Sequence, residues 1–101
     1  MFLVRFSYDF RPADREAALS FIRREISAAH DRGLAARMLV PLTRPHGGAS
    51  MQFEIELESL DQFDPFRQRG VGSADETEDW MRSFSEILIS PPAAEILRIV
   101  D

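Results

Sequence analysis

The stretch Met51-Gln52-Phe53-Glu54-Ile55-Glu56-Leu57-Glu58 decides how this chain folds. Met51, Phe53, Ile55 and Leu57 alternate strictly with Gln52, Glu54, Glu56 and Glu58. A period of two is the signature of a β-strand whose faces meet different surroundings. One face goes into an apolar core; the other is wet or paired with cations. The strand therefore belongs to a sheet covered on one side and open on the other.

Upstream, Phe2 to Tyr8 repeats the pattern, with Phe2, Val4, Phe6 and Tyr8 on one side and Leu3, Arg5 and Ser7 on the other. Arg11-Pro12 breaks that strand, and proline suits the first turn of a helix. Asp14 and Glu16 follow at the positive end of the helix dipole. Ala18, Phe21, Ile22, Ile26 and Ala29 make an apolar stripe, interrupted by Glu25, and Gly33 is a natural stop. Leu34 to Thr43 alternates again: Leu34, Ala36, Met38, Val40 and Leu42 against Ala35, Arg37, Leu39 and Pro41. Pro41 cannot donate a ladder hydrogen bond, so this strand is expected at a sheet edge.

Downstream, Ser59 is placed to cap a short helix from Leu60 to Arg69, which Gly70 ends. Ser73-Ala74-Asp75-Glu76 has capping-box spacing and opens a helix carrying Trp80, Met81, Phe84, Ile87 and Leu88 on one face. Pro91-Pro92 stops it. Ala94 to Val100 is the last strand, with a register left open because Ile96, Leu97, Ile99 and Val100 are all apolar.

The order β-α-β-β-α-β is the split βαβ pattern of α+β, ferredoxin-like domains. Right-handed crossovers give a four-stranded antiparallel sheet of spatial order 4-1-3-2 with both helices on one face. The length of 101 residues fits a single domain over 1–101.

Composition narrows the function classes. There is no cysteine, which excludes disulfides, thiolate nucleophiles and Cys-based metal sites. All 12 basic residues are Arg, so no lysine Schiff base can form. A net charge of −5 disfavours broad nucleic-acid and acidic-membrane contacts. No apolar run approaches a membrane span, and Arg5 interrupts what would be a signal peptide. The expected location is the cytoplasm. Nucleic-acid binding on the open sheet face would need stacking aromatics, where this chain carries Glu.

The element order, together with Leu60-Asp61-Gln62-Phe63-Asp64-Pro65-Phe66-Arg67 after a strand and Trp80-Met81-x-x-Phe84-x-x-Ile87-Leu88 before the return strand Glu95-Ile96-Leu97-Arg98-Ile99-Val100, resembles the dimeric α/β-barrel superfamily, in its NIPSNAP-like or stress-responsive A/B-barrel branches. The resemblance covers nearly the whole chain and implies a homodimer that pairs its open sheet faces around a cavity. It also brings an alternative: a cofactor-independent monooxygenase or isomerase. Fold alone does not choose between them.

The candidate site follows from the open face. Arg5, Arg37, Glu54 and Glu56, with Arg98 if strand four has the right register, would be partly desolvated under a second subunit. They then either pair with one another and fix the dimer's register, or line a polar cavity whose Arg forks grip a small anionic or carbonyl ligand. His46, in the loop Pro45-His46-Gly47-Gly48, is a weak candidate for a catalytic base. His30 fits a helix C-terminus, and Trp80, Phe84 and Tyr8 fit the core. No metal-ligand spacing occurs, the acidic run at Asp75–Asp79 reads as a solvated helix start, and no cofactor is expected.

Overall fold

The computed structural model describes residues 1–43, 48–62 and 82–100. Its first strand, β1, spans Phe2–Tyr8. A 3-10 turn at Pro12–Asp14 leads into helix α1, Arg15–Asp31. Strands β2 (Ala36–Leu39) and β3 (Met51–Leu57) follow, then a 3-10 turn at Leu60–Gln62, a helical stretch at 82–87 and strand β4, Ala93–Arg98. The sheet order is β2-β3-β1-β4 with every pairing antiparallel, which is the expected order read from the other edge.

Strand β1 occupies the residues its alternation predicts, β3 stops one short of its prediction at Leu57 rather than Glu58, and the core lies on one side of them. Val4 and Tyr8 of β1, Met51, Phe53, Ile55 and Leu57 of β3, Ala18, Leu19, Ile22 and Ala29 of α1, and Phe84 of the 82–87 helix form one buried cluster. Phe84 joins the layers through its ring, 4.9 Å from Tyr8 and 5.0 Å from Phe21 between centroids. Leu3 is also buried, yet it stands outside that cluster, on the opposite face of the sheet.

Helix α1 ends in a Schellman arrangement. The Leu34 N–H donates to the Ala29 carbonyl (3.0 Å) and the Gly33 N–H to the His30 carbonyl (2.9 Å), with Gly33 at φ +75°. Nothing would touch a Cβ at Gly33, so Gly33→Ala tests backbone preference alone. It is expected to destabilise the fold by about 1 kcal/mol in urea denaturation, with no change in m-value.

Three expectations need correction. The second strand is Ala36–Leu39 rather than Leu34–Thr43. Its pairing with β3 ends at Leu39↔Gln52, and Leu42 is 97% exposed: alternation ran on past the partner, with Pro41 just beyond the last paired residue. The last strand is Ala93–Arg98 rather than Ala94–Val100. The helix from Leu60 is a 3-10 turn through Gln62, whose side-chain oxygen accepts from the Glu58 N–H at 2.8 Å; its expected continuation to Arg69, the capping box at Ser73 and Trp80 lie outside the described residues. Among the described residues, no helix is long and apolar enough to cross a membrane.

Candidate functional site on the open sheet face

The face of the sheet away from α1 is built by the odd residues of β1 and the even residues of β3. Register brings their charges together: Glu54 stands opposite Arg5 on one side and opposite Arg37 on the other. Arg5 Nε donates to Glu54 Oε2 at 2.6 Å, and Arg37 donates to Glu54 Oε1 from Nε at 2.8 Å, with its Nη2 also 2.8 Å away. The Glu54 side chain is 1% exposed, whereas those of Arg5 and Arg37 are 31% and 58% exposed. A carboxylate on the face away from α1 is thus shielded from water by two guanidinium groups. Burial by itself would raise its pKa; the hydrogen bonds from Arg5 and Arg37, and their positive charges, outweigh that and hold Glu54 below the ordinary carboxylate range.

Beside this triad lies a small depression of about 140 Å³, lined by Leu3, Ala35, Ala36, Arg37, Glu54 and Glu56. The Glu56 side chain is half-buried there. At the neighbouring position Gln52 Nε2 donates to Ser7 Oγ at 3.2 Å, which extends the polar ladder between the two central strands.

Four of the five proposed ligand-binding residues, Arg5, Arg37, Glu54 and Glu56, share this face. Arg98 does not join them. β4 pairs with β1 so that Arg98 is opposite Phe2 and Leu97 opposite Leu3, which puts Arg98 on the helix side, its guanidinium 5.9 Å from the centre of the Phe2 ring. Glu95, opposite Arg5, takes the open-face position instead. Sequence reading missed Glu95 because an unbroken apolar run hides the parity of β4; its pairing with β1 is what sets it.

The remaining candidates divide as follows. His46 lies outside the described residues. His30 is exposed at the end of α1, with Nε2 3.3 Å from the Ala36 carbonyl oxygen, where it ties helix to strand. Tyr8 is buried; burial first, and the negative charge of Glu25 second, push its hydroxyl pKa well above the ordinary range. That phenol stays protonated and serves the core. A polar node that sequence reading did not anticipate closes one end of the sheet: Ser50 Oγ donates to Asp9 Oδ1 at 2.6 Å and accepts from the Phe10 N–H at 3.4 Å. No group of three His, Asp or Glu that could hold a metal ion occurs among the described residues.

A scan against protein-family models and a search of curated proteins both return no match. Solved structures do match, over the full length. Rv0793 from Mycobacterium tuberculosis superposes with a TM-score of 0.75 at 16% identity, covering 99% of this chain and 95% of that one. An antibiotic biosynthesis monooxygenase gives 0.72 at 12% identity, covering 100% of both chains. A NIPSNAP family protein from Agrobacterium tumefaciens gives 0.72 at 20% identity, covering 99% of this chain and 93% of that one. At these identities the likeness is one of fold: an α+β, ferredoxin-like domain with a four-stranded antiparallel sheet.

Proposed function

We propose that residues 1–101 form one domain of a homodimeric binding protein: a second copy covers the open sheet face, and the space between the two faces takes a small uncharged molecule bearing a carbonyl group. The observation that carries this reading is the Arg5–Glu54–Arg37 triad, a buried carboxylate held between two arginines on the sheet face away from α1. A surface meant only for water has no need to bury a carboxylate between two arginines, because exposed pairs contribute little. A surface meant to be covered must satisfy its charges first.

The ligand class follows from the same geometry. The depression is lined by one guanidinium and two carboxylates, and the Nε groups of both arginines are already donating to Glu54. An anion would have to displace Glu54 and sit beside Glu56, so the anionic branch of the ligand expectation loses ground. A neutral carbonyl can accept from the outward N–H groups of Arg37 while a hydroxyl on the same molecule donates to Glu56. The oxygenase or isomerase alternative has His46 as its candidate base. Among the described residues the Tyr8 hydroxyl sits in the core, so the binding reading is preferred.

Sedimentation velocity over a hundredfold concentration range tests the assembly; the expected mass is twice that of the chain. A monomer at all concentrations overturns the proposal. For the ligand, thermal shift against neutral hydroxy-ketones and hydroxy-amides is compared with shifts from small carboxylates. The neutral set is expected to stabilise the protein and the carboxylates are not; the reverse result overturns the ligand class.

A further inference from the structure

Two carboxylates line the depression beside the triad, and their surroundings differ. Both oxygens of Glu54 accept from guanidinium groups, Oε2 from Arg5 at 2.6 Å and Oε1 from Arg37 at 2.8 Å. Glu56 has no cation opposite it. Its cross-strand neighbours are Leu3 on β1 and Ala35, whose carbonyl accepts from the Glu56 N–H at 2.9 Å. The half-buried Glu56 side chain makes no hydrogen bond or ion pair among the described residues. Arg37 lines the same depression but does not pair with Glu56, because its Nε and Nη2 are both held by Glu54. The other N–H groups of that guanidinium remain for a ligand. A cation and a carboxylate thus border one hollow without touching, and Leu3, only 8% exposed, supplies an apolar wall.

We propose that this arrangement gives the site an activity beyond binding: Glu56 is the base that interconverts small α-hydroxy ketones and α-hydroxy aldehydes, with Arg37 holding the carbonyl oxygen. The proposal rests on the neutral hydroxy-carbonyl ligand class argued above. With the carbonyl on Arg37 and the hydroxyl on Glu56, the hydroxyl-bearing carbon lies beside the carboxylate, and the adjacent carbonyl acidifies its C–H. Glu56 takes that proton. The C–H electron pair becomes the C=C bond of an enediolate, and the carbonyl π pair moves onto oxygen, where the Arg37 donors oppose the developing negative charge. The hydroxyl proton passes to that oxygen, and protonated Glu56 returns its proton to the former carbonyl carbon. Substrate and product are isomers, so no external oxidant, reductant or co-reactant enters. Such a step needs a carboxylate not already held by a cation, and a donor fixed in place before the charge appears. Glu56 meets the first condition, and the hold of Glu54 on Arg37 meets the second. A volume of about 140 Å³ takes about four or five groups the size of a water at ~30 Å³ each, which suits a three-carbon compound such as hydroxyacetone.

Hydroxyacetone in D2O, followed by proton NMR, tests the step. Deuterium from solvent replaces the proton that Glu56 carries, so the hydroxymethylene signal is expected to disappear while the methyl signal persists. Glu56→Gln is expected to slow this exchange by ~100-fold or more, and Glu56→Asp to retain part of it. Glu95→Gln removes an exposed carboxylate from the same face but outside the depression, and is expected to leave the rate unchanged. Lactaldehyde offered in place of hydroxyacetone is expected to yield hydroxyacetone. Undiminished exchange by Glu56→Gln overturns the role of Glu56. Loss of both proton signals at one rate overturns the placement of the hydroxyl on Glu56, and exchange with no conversion of lactaldehyde overturns the isomerisation. Thermal shift with hydroxyacetone separates activity from binding. A shift without exchange overturns the activity and leaves the ligand class standing; no shift with hydroxyacetone or any other neutral hydroxy-ketone overturns both.

Discussion

Phe53→Ala is expected to destabilise the protein by about 4 kcal/mol, the largest loss from any one substitution. Phe53 sits at the middle of the central strand β3, is 1% exposed, and stacks on Phe6 with ring centres 6.0 Å apart. Its removal takes away a whole aromatic surface and leaves a void that close-packed neighbours cannot fill. A domain of 101 residues has a total stability of about 5–15 kcal/mol, so this one ring decides whether the variant is folded at 37 °C. Urea denaturation at 25 °C is the measurement, with Leu42→Ala as a reference. Leu42 is 97% exposed, and its truncation is expected to change stability by less than about 0.5 kcal/mol. Similar losses from the two variants would mean that the buried side of the sheet is not the one built by Met51, Phe53, Ile55 and Leu57.

The contrast between Phe53 and Leu42 also shows where sequence reading succeeds. Around Phe53 the alternation marks a real difference between two environments, and β3 begins at Met51 as its pattern predicts. Around Leu42 the same alternation has no environment behind it, because the pairing of β2 with β3 ends at Leu39 and Gln52. Period two is a property of one strand, whereas strand length is a property of a pair. In α1 the stripe was legible but slightly rotated: Leu19 is buried and Phe21 only half-buried, since the helix centres Ala18, Ile22, Glu25 and Ala29 on the sheet.

For the site, the same parity argument put Arg5, Arg37 and Glu54 on one face, and hydrogen bonds join all three. It failed for β4. Ile96, Leu97, Ile99 and Val100 carry no alternation, so Arg98 and Glu95 could not be assigned to faces until pairing with β1 fixed them. The Ser50–Asp9 contact, 41 residues apart in sequence, left no periodic trace at all. Short-range pattern reveals which side a residue takes only where both sides are chemically distinct along that same strand.

The triad supports the second large effect. Glu54→Gln keeps the shape of the side chain but removes its charge and replaces one acceptor oxygen with a donor. One of the two guanidinium groups then faces an N–H instead of an oxygen, next to a group that water scarcely reaches. Charge-assisted hydrogen bonds of this kind contribute about 1.5–3 kcal/mol each. Arg37 is more than half exposed, which screens its share, so the expected loss is about 2–3 kcal/mol and comes mainly from Arg5. The pH dependence has a definite sign. Glu54 is held below its unfolded pKa of about 4.3, so its stabilisation is fully present above that value and fades as pH falls through the folded pKa beneath it. The stability difference between the native protein and Glu54→Gln should therefore stay constant from pH 7 down to about pH 5, then shrink as the medium becomes more acidic. Denaturant titrations at half-unit steps on both proteins measure it directly. A difference that persists undiminished to pH 2 would mean that the variant is destabilised by its altered shape rather than by the lost charge between Arg5 and Arg37.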